Sequence, residues 1–264
     1  MTTPMTPKTT TGDNARPGKA ADNPRRAFIA AAGVGVAGLG FTAIAPGLHL
    51  MAVAQAAPKP GEAVSSAVRW GLLIDANKCA PGCTKCVDAC ATENGISEKP
   101  ANPRQASQWI RKIELVDKRT QHKTQLPMMC QHCAHPPCVD VCPTGASFKR
   151  ADGIVLVDRH ICIGCRYCMM ACPYKARSFV HMPLTEQNPD VPRGRGCVEA
   201  CTLCVQRVDK GLIPACVESC PEGAMSFGDL NDPNSAIAKR IAEVPTTQVR
   251  SDLRLDVGVR YEGI

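Results

Sequence analysis

The run Cys162-Ile-Gly-Cys165-Arg-Tyr-Cys168-Met-Met-Ala-Cys172-Pro173 restricts this chain more than any other stretch. Its Cys-x2-Cys-x2-Cys-x3-Cys-Pro spacing is the one that holds [4Fe–4S] clusters. Three thiolates so spaced curl around one face of a cubane when the loop between them is tight, and Gly164 lets that loop turn. Cys172 follows Cys168 by about one helical turn, on a segment that Pro173 stops. It therefore points away from the first cluster and toward a neighbouring one. A zinc site needs only four ligands, usually as two separated pairs, and has no use for this tail.

Three further quartets share the grammar. They are Cys79-x3-Cys83-x2-Cys86-x3-Cys90, Cys130-x2-Cys133-x4-Cys138-x3-Cys142-Pro143, and Cys201-x2-Cys204-x11-Cys216-x3-Cys220-Pro221. Together the quartets take sixteen of the seventeen cysteines and leave Cys197. Since fourth ligands are exchanged, the quartets pair. The runs Ala146–Arg150 and Ile154–Asp158, joined by Ala151-Asp152-Gly153, read as a hairpin that brings groups two and three together. The expected ligand sets are Cys130, Cys133, Cys138 with Cys172, and Cys162, Cys165, Cys168 with Cys142. Groups one and four then pair across the chain, as Cys79, Cys83, Cys86 with Cys220, and Cys201, Cys204, Cys216 with Cys90. The expected cofactors are four [4Fe–4S] clusters, with these same cysteines as the iron ligands.

Composition agrees with a cofactor-braced fold. Aromatic residues are only 4% of the 264, thin for an ordinary core of this size, while there are 22 prolines. The expected class is α+β, two nested ferredoxin-like units of short strands and helices. Residues 70–104 and 194–230 form the outer unit and 105–193 the inner one, with 231–264 a C-terminal extension. The formal charge of +7 invites an anionic partner. Lys and Arg are scattered, however, with no aromatic–basic stripe for nucleic acid. Four clusters, each carrying about two net negative charges with its thiolates, would offset the excess.

Residues 1–56 read as a Tat signal region behind a polar, disordered start. Arg25-Arg26 precedes the Ala- and Gly-rich run Ala27–Ala45, with Ala52-Val53-Ala54 and Ala54-Gln55-Ala56 as cleavage candidates. An uncleaved anchor is the alternative reading of the apolar run. Export would normally turn so many cysteines into disulfides. Tat cargo crosses folded, so clusters can be inserted first, where thiols stay reduced. The chain is expected to work in the periplasm, associated with the membrane through partners. Residues 57–69 read as a linker, Trp70–Asp75 and Gln108–Val116 as strands, and Leu184–Gly196 as a loop. Glu222–Leu230 reads as a strand and Ser235–Val244 as a helix capped by Asp232, Asn234 or Ser235. The tail to Ile264 is polar and carries no apolar span.

Several other residues stand near the quartets. His132 and His135 read as hydrogen-bond donors to sulfur or surface groups, with His ligation of a cluster the lesser alternative, since every quartet already has four cysteines. Cys130-Gln131-His132-Cys133-Ala134 lacks the His after its second Cys that a c-type haem requires. Arg166, Lys175 and Arg177 form either a solvated basic face or charge compensation for a cluster. Met169 and Met170 read as packing, and Cys197 as a free or buried thiol that could otherwise replace Cys201. No nucleophile–base pair, phosphate loop or catalytic acid pair is present, so no catalytic residue is assigned.

From Trp70 to Leu230 the chain resembles the four-cluster ferredoxin-type subunits of membrane oxidoreductase complexes. These include the iron–sulfur subunits of dimethyl sulfoxide and polysulfide reductases. Within that group, three stretches resemble the DsrO-like periplasmic subunits of the complex linked to dissimilatory sulfite reductase. They are Cys79-Ala80-Pro81-Gly82-Cys83, Pro137 through Cys142-Pro143-Thr144-Gly145-Ala146 to Val155, and Ala215-Cys216-Val217-Glu218-Ser219-Cys220. The resemblance implies an electron-transfer subunit in sulfur metabolism, without a substrate site of its own. Its implied partners are a quinone-binding polytopic membrane subunit, a multiheme cytochrome c and other subunits of the complex. The alternative is the small subunit of a molybdopterin oxidoreductase or periplasmic hydrogenase.

Overall fold

In the computed structural model, residues 63–185 and 187–264 are described. The arginine pair, the run that follows it, the cleavage candidates and the start of the linker lie outside them. The first half of the chain gives β1 (Trp70–Asp75), α1 (Lys85–Glu93), β2 (Arg111–Val116), β3 (Lys123–Met128), α2 (Pro137–Asp140), β4 (Ser147–Lys149) and β5 (Val155–Val157). The second half gives α3 (Tyr167–Ala171), β6 (Arg177–Phe179), β7 (Val198–Ala200), α4 (Val205–Val208) and α5 (Ala215–Glu218). Then follow β8 (Met225–Asp229), α6 (Ala236–Glu243), β9 (Thr246–Thr247) and β10 (Val259–Glu262). The class is mixed α/β, with short elements throughout.

β1 is the centre. All six of its residues are buried, which a Trp-Gly-Leu-Leu-Ile-Asp run without alternation accommodates. It pairs antiparallel with β8 on one side and parallel with β10 on the other, and β9 closes that edge. Gly71 is required at the parallel pair, because a Cβ there would lie 2.6 Å from the carbonyl oxygen of Gly258. Trp70 stacks on Phe227 across the β1–β8 pair at 5.0 Å between ring centroids. α6 covers β8 by seating Ile237 over Gly228. Its cap is Ser235, whose Oγ accepts the Ala238 N–H at 3.1 Å and donates to the Asp229 carbonyl at 2.6 Å.

β10 is the element that the polar tail hides. Only Val259 and Tyr261 are apolar in it, and both are buried, as is Val257 just before. The tail also brackets the second cysteine group. Ala134 and His135 donate backbone N–H groups to Asp256 and Leu255, and Gly258 donates to Gln131 at 2.8 Å. The Tyr261 hydroxyl donates to the Pro127 carbonyl at 3.0 Å and accepts from Gln131 Nε2 at 3.2 Å. One buried phenol thus joins the central sheet, β3 and the loop carrying Cys130 and Cys133.

The remaining strands form three hairpins, β2–β3, β4–β5 and β6–β7. β4–β5 turns at Asp152-Gly153, and the Trp70 N–H donates to the Asp152 carbonyl at 3.1 Å, tying this hairpin to β1. β2 begins at Arg111 rather than Gln108. The physical reason is burial: Trp109 and Ile110 turn into the core, and the Gln108 N–H is taken by Ser178 Oγ at 2.9 Å. The loop after β6 is fastened by Arg193, which is buried with Glu199 and Glu98 and also donates to the Gly95 carbonyl at 2.9 Å. Among the described residues no helix is long and apolar enough to cross a membrane.

Truncating Tyr261 to Ala should cost about 3–5 kcal/mol, the range for a buried aromatic ring. Tyr261→Phe keeps the ring and loses only the hydroxyl, so it should cost about 1–3 kcal/mol. Anaerobic denaturant unfolding of the two variants checks both values.

Candidate functional site

The third cysteine group is shaped by two left-handed residues. Gly164 has φ of +68° and Arg166 has φ of +67°, and together they fold the loop back on itself before α3 begins. Cys168 sits in α3, and Cys172 leaves it in extended conformation ahead of Pro173. A Cβ on Gly164 would overlap the Gly196 carbonyl oxygen, so the loop also needs Gly for contact with its neighbour. In the second group, Pro136 and Pro137 start the single turn of α2, which carries Cys138. α2 and α3 pack against each other.

Their thiols sort into two cavities. Cys162, Cys165 and Cys168 share one with Cys142, in about 310 Å3 of atom-free space walled by Val157 and Val198. Cys130, Cys133 and Cys138 share the other with Cys172, in about 320 Å3 walled by Pro136, Pro137, Val155 and Tyr174. The fourth cysteine of each run has crossed to the other run's cavity.

The outer groups also come together. α1 packs on α5, which joins groups one and four across the chain. The Cys86 thiol is pushed up to about 11, first by burial and then by Cys79, with Cys220 and Cys83 adding to it against Lys112. Cys90 is pushed up to about 12 by burial and next by Cys204, with Cys86 of its own run adding to it against the hydrogen bond from Asn94. Cys201 is raised by burial and then by Cys90, Cys216 and Cys204. Cys79, Cys83 and Cys220 thus lie near Cys86, and Cys90, Cys204 and Cys216 near Cys201, with Cys86 also felt at Cys90 and Cys216.

These surroundings fit a polynuclear cluster better than a single ion. None of the seventeen cysteines, all among the described residues, forms a disulfide. Among the described residues no three His, Cys, Asp or Glu side chains converge on a point where one metal ion would sit. The inner thiols instead line two shared cavities, four to each. N–H groups also point at sulfur, as thiolate and cluster charge would require. Ser147 N–H reaches Cys142 Sγ at 3.3 Å, Ala224 N–H reaches Cys220 Sγ at 3.3 Å, and Asn94 Nδ2 reaches Cys90 Sγ at 3.5 Å. Cys142 is partly buried, which raises its thiol, yet the Ser147 N–H and Thr144 bring it below its ordinary value.

The basic residues near the third group divide. Arg166 is exposed and lies over the Phe179 ring, its Cζ 3.8 Å from the centroid, and Lys175 is exposed. Arg177 is buried between the two cavities and lines both. Its Nη2 donates to Cys138 Sγ at 3.0 Å and to Ser147 Oγ at 2.7 Å, while Nε and Nη1 are buried without a partner. Those orphaned donors and their charge call for an anion at the cavity walls, which a thiolate-bound iron–sulfur cluster would supply.

His132 is fully enclosed rather than superficial. Its Nδ1 accepts the Val155 N–H at 3.0 Å, so the neutral ring carries its proton on Nε2, which has no partner. Burial, aided by Arg177, lowers it to about 3. His135 donates its backbone N–H to Leu255. Met170 is exposed and Met169 partly buried. Cys197 is buried outside the four sets of thiols, its Sγ donating to the Arg159 carbonyl at 3.3 Å. Asn94 has no signal in the sequence, because the stretch after Cys90 is polar throughout.

A 4Fe-4S dicluster domain model matches residues 122–230, which span groups two to four. The chain is 41% identical over 267 aligned residues to the Hdr-like menaquinol oxidoreductase iron-sulfur subunit 1 of Archaeoglobus fulgidus, covering 90% of this chain and 97% of that one. It is 40% identical to a putative dimethyl sulfoxide reductase iron-sulfur subunit of Halobacterium salinarum, over 73% of this chain and 78% of the relative. Protein NrfC of Escherichia coli is 39% identical, over 68% of this chain and 74% of its own length. The chain belongs to the family of ferredoxin-type [4Fe–4S] subunits of oxidoreductase complexes.

The two glycine positions 164 and 223 separate backbone strain from steric contact. Gly223 has φ of +57° with nothing within 4 Å of a Cβ, so Gly223→Ala should cost only about 1–2 kcal/mol. Gly164→Ala adds the overlap with Gly196 and should unfold at a clearly lower temperature, with less of the brown cluster absorbance retained. Thermal scans of both purified variants, followed in the visible band, test the difference.

Proposed function

We propose that this chain is an exported relay subunit holding four [4Fe–4S] clusters and passing single electrons between the other subunits of a membrane complex. The observation that carries the reading is the crossing of the fourth cysteine between cavities, which is how two clusters share adjacent runs in a two-cluster ferredoxin. The ligand sets are Cys130, Cys133, Cys138 with Cys172; Cys162, Cys165, Cys168 with Cys142; Cys79, Cys83, Cys86 with Cys220; and Cys201, Cys204, Cys216 with Cys90. Groups one and four form the outer ferredoxin-like unit, 70–104 with 194–230, around an inner unit of 105–193.

When bound, the clusters supply one-electron storage. The chain's residues do the rest: cysteine side chains grip, N–H groups stabilise charge at sulfur, and apolar walls such as Val155, Val157 and Val198 limit water. Each iron is expected to be saturated by thiolate and sulfide, so substrate chemistry happens on another subunit. The electron path is expected to lead to a quinone-binding polytopic membrane subunit and a multiheme cytochrome c, in a DsrO-like complex of sulfur metabolism. The near end-to-end match to a menaquinol oxidoreductase subunit supports the quinone side of this reading. Arg25-Arg26 and the weakly apolar run behind it support export by the Tat route to the periplasm.

Relatives named for dimethyl sulfoxide and tetrathionate reductases favour a second reading, in which the chain serves a catalytic reductase chain directly. Solubilised membranes separate the two. Recovery with a cytochrome and a quinone protein is expected, and recovery with a large molybdenum-containing chain would select the second.

The purified holo-protein should contain about sixteen irons, four per cluster. A value near four would overturn the relay reading. Cys172→Ser should first damage the cluster of Cys130, Cys133 and Cys138. Selective loss of the electron paramagnetic resonance signal from the cluster of Cys162, Cys165 and Cys168 would show the ligand exchange to be wrong.

A further inference from the structure

Arg177 opens β6 only four residues after Pro173, and the strand carries its guanidinium inward, where it is 6% exposed. It borders both inner cavities. Its contacts are sulfur and hydroxyl: Nη2 meets Cys138 Sγ at 3.0 Å and Ser147 Oγ at 2.7 Å. Among the described residues it forms no salt bridge with a carboxylate, and two of its nitrogens have no partner. The other buried arginine with a defined role, Arg193, is by contrast held by Glu98 and Glu199. A guanidinium keeps its charge at any accessible pH, so a positive charge stays fixed between the two sites.

We infer that Arg177 is a shared electrostatic regulator of the two inner clusters, a fixed cation that raises both reduction potentials by favouring the state with one more electron. The physical basis is simple. Reduction adds a negative charge to a cluster, and a cation at its edge in a poorly screened interior stabilises that charge. Because one guanidinium borders both cavities, the two potentials rise together, and electrons reside preferentially on the inner pair. Among the described residues the outer sets have no buried, carboxylate-free guanidinium: Lys112, half-buried near Cys86, has its Nζ on the Ala80 carbonyl at 3.0 Å, and Arg207 is held by Glu93 and Glu218. Arg177 acts through the clusters and is a positioning residue. It binds no substrate.

This role presupposes the four-cluster reading, and the two can fail separately. A wild-type iron content near four fails the cluster reading itself. At about sixteen irons, redox titration followed by electron paramagnetic resonance tests Arg177 alone. Arg177→Gln in the full-length holo-protein should make two of the four clusters at least about tenfold harder to reduce at a given potential, which is 59 mV for one electron. The other two clusters should not move. Arg177→Lys keeps the charge but cannot border both cavities with a planar fork, so its inner-pair shift should be smaller and in the same direction. If Arg177→Gln loses iron, the shift in iron-replete Arg177→Lys decides. Unchanged potentials in an iron-replete variant overturn the role. So does an equal shift of all four clusters, or loss of iron in both variants, which would leave Arg177 a structural residue.

Discussion

A thiol removed from water keeps its proton, and most of the seventeen thiols here are removed from water. Burial is the first cause of the raised values at Cys86, Cys90, Cys130 and Cys133, and neighbouring thiols push in the same direction. Such a core stores unfavourable free energy if its sulfurs ionise without a counter-charge. Iron supplies that counter-charge and joins four sulfurs in one step. Little else is available to hold the molecule together, because aromatic residues are scarce and most elements are three to five residues long. Metal and fold are therefore thermodynamically one system.

The two inner cysteine runs are interleaved in space. Cys142 belongs to the second run and faces the cavity of the third, while Cys172 does the reverse. α2 and α3, a turn or so each, cannot hold their positions by helix propensity. Each lines one cavity within the helix and the other just past its end. α1 and α5 pack together as well, although more than a hundred residues separate Cys90 from Cys204. A disturbance in one run is thus delivered to two sites.

What could be read from the sequence was whatever has a local signature. Cysteine spacing fixes who is near whom within a run, the Asp152-Gly153 turn marks its hairpin, and Ser235 marks the start of α6. β1 is legible because a fully buried strand must be apolar throughout. β10 is not, since alternating Val259, Arg260, Tyr261 and Glu262 is too short a pattern and its partner lies at the other end of the chain. Arg177 is hidden for a different reason. It has the same chemistry as Arg166 and Lys175 nearby, and only the packing of β6 between two cavities distinguishes it. His132 likewise looks like a polar residue on a loop until the C-terminal segment covers it.

The parallel pairing of β1 with β10 also sets the order of events in folding. Trp70–Asp75 is synthesised early, but its neighbour on one side of the sheet is Val259–Glu262, so one edge of a wholly buried strand stays open until almost everything between them has been made. Long-range closures of this kind are slow steps. An unpaired apolar edge is also a surface on which chains aggregate or chaperones bind. The same segment brackets the loop of Cys130 and Cys133, so that loop waits for the same closure. The last strand of the chain thus completes both the central sheet and the wall of one cysteine cavity.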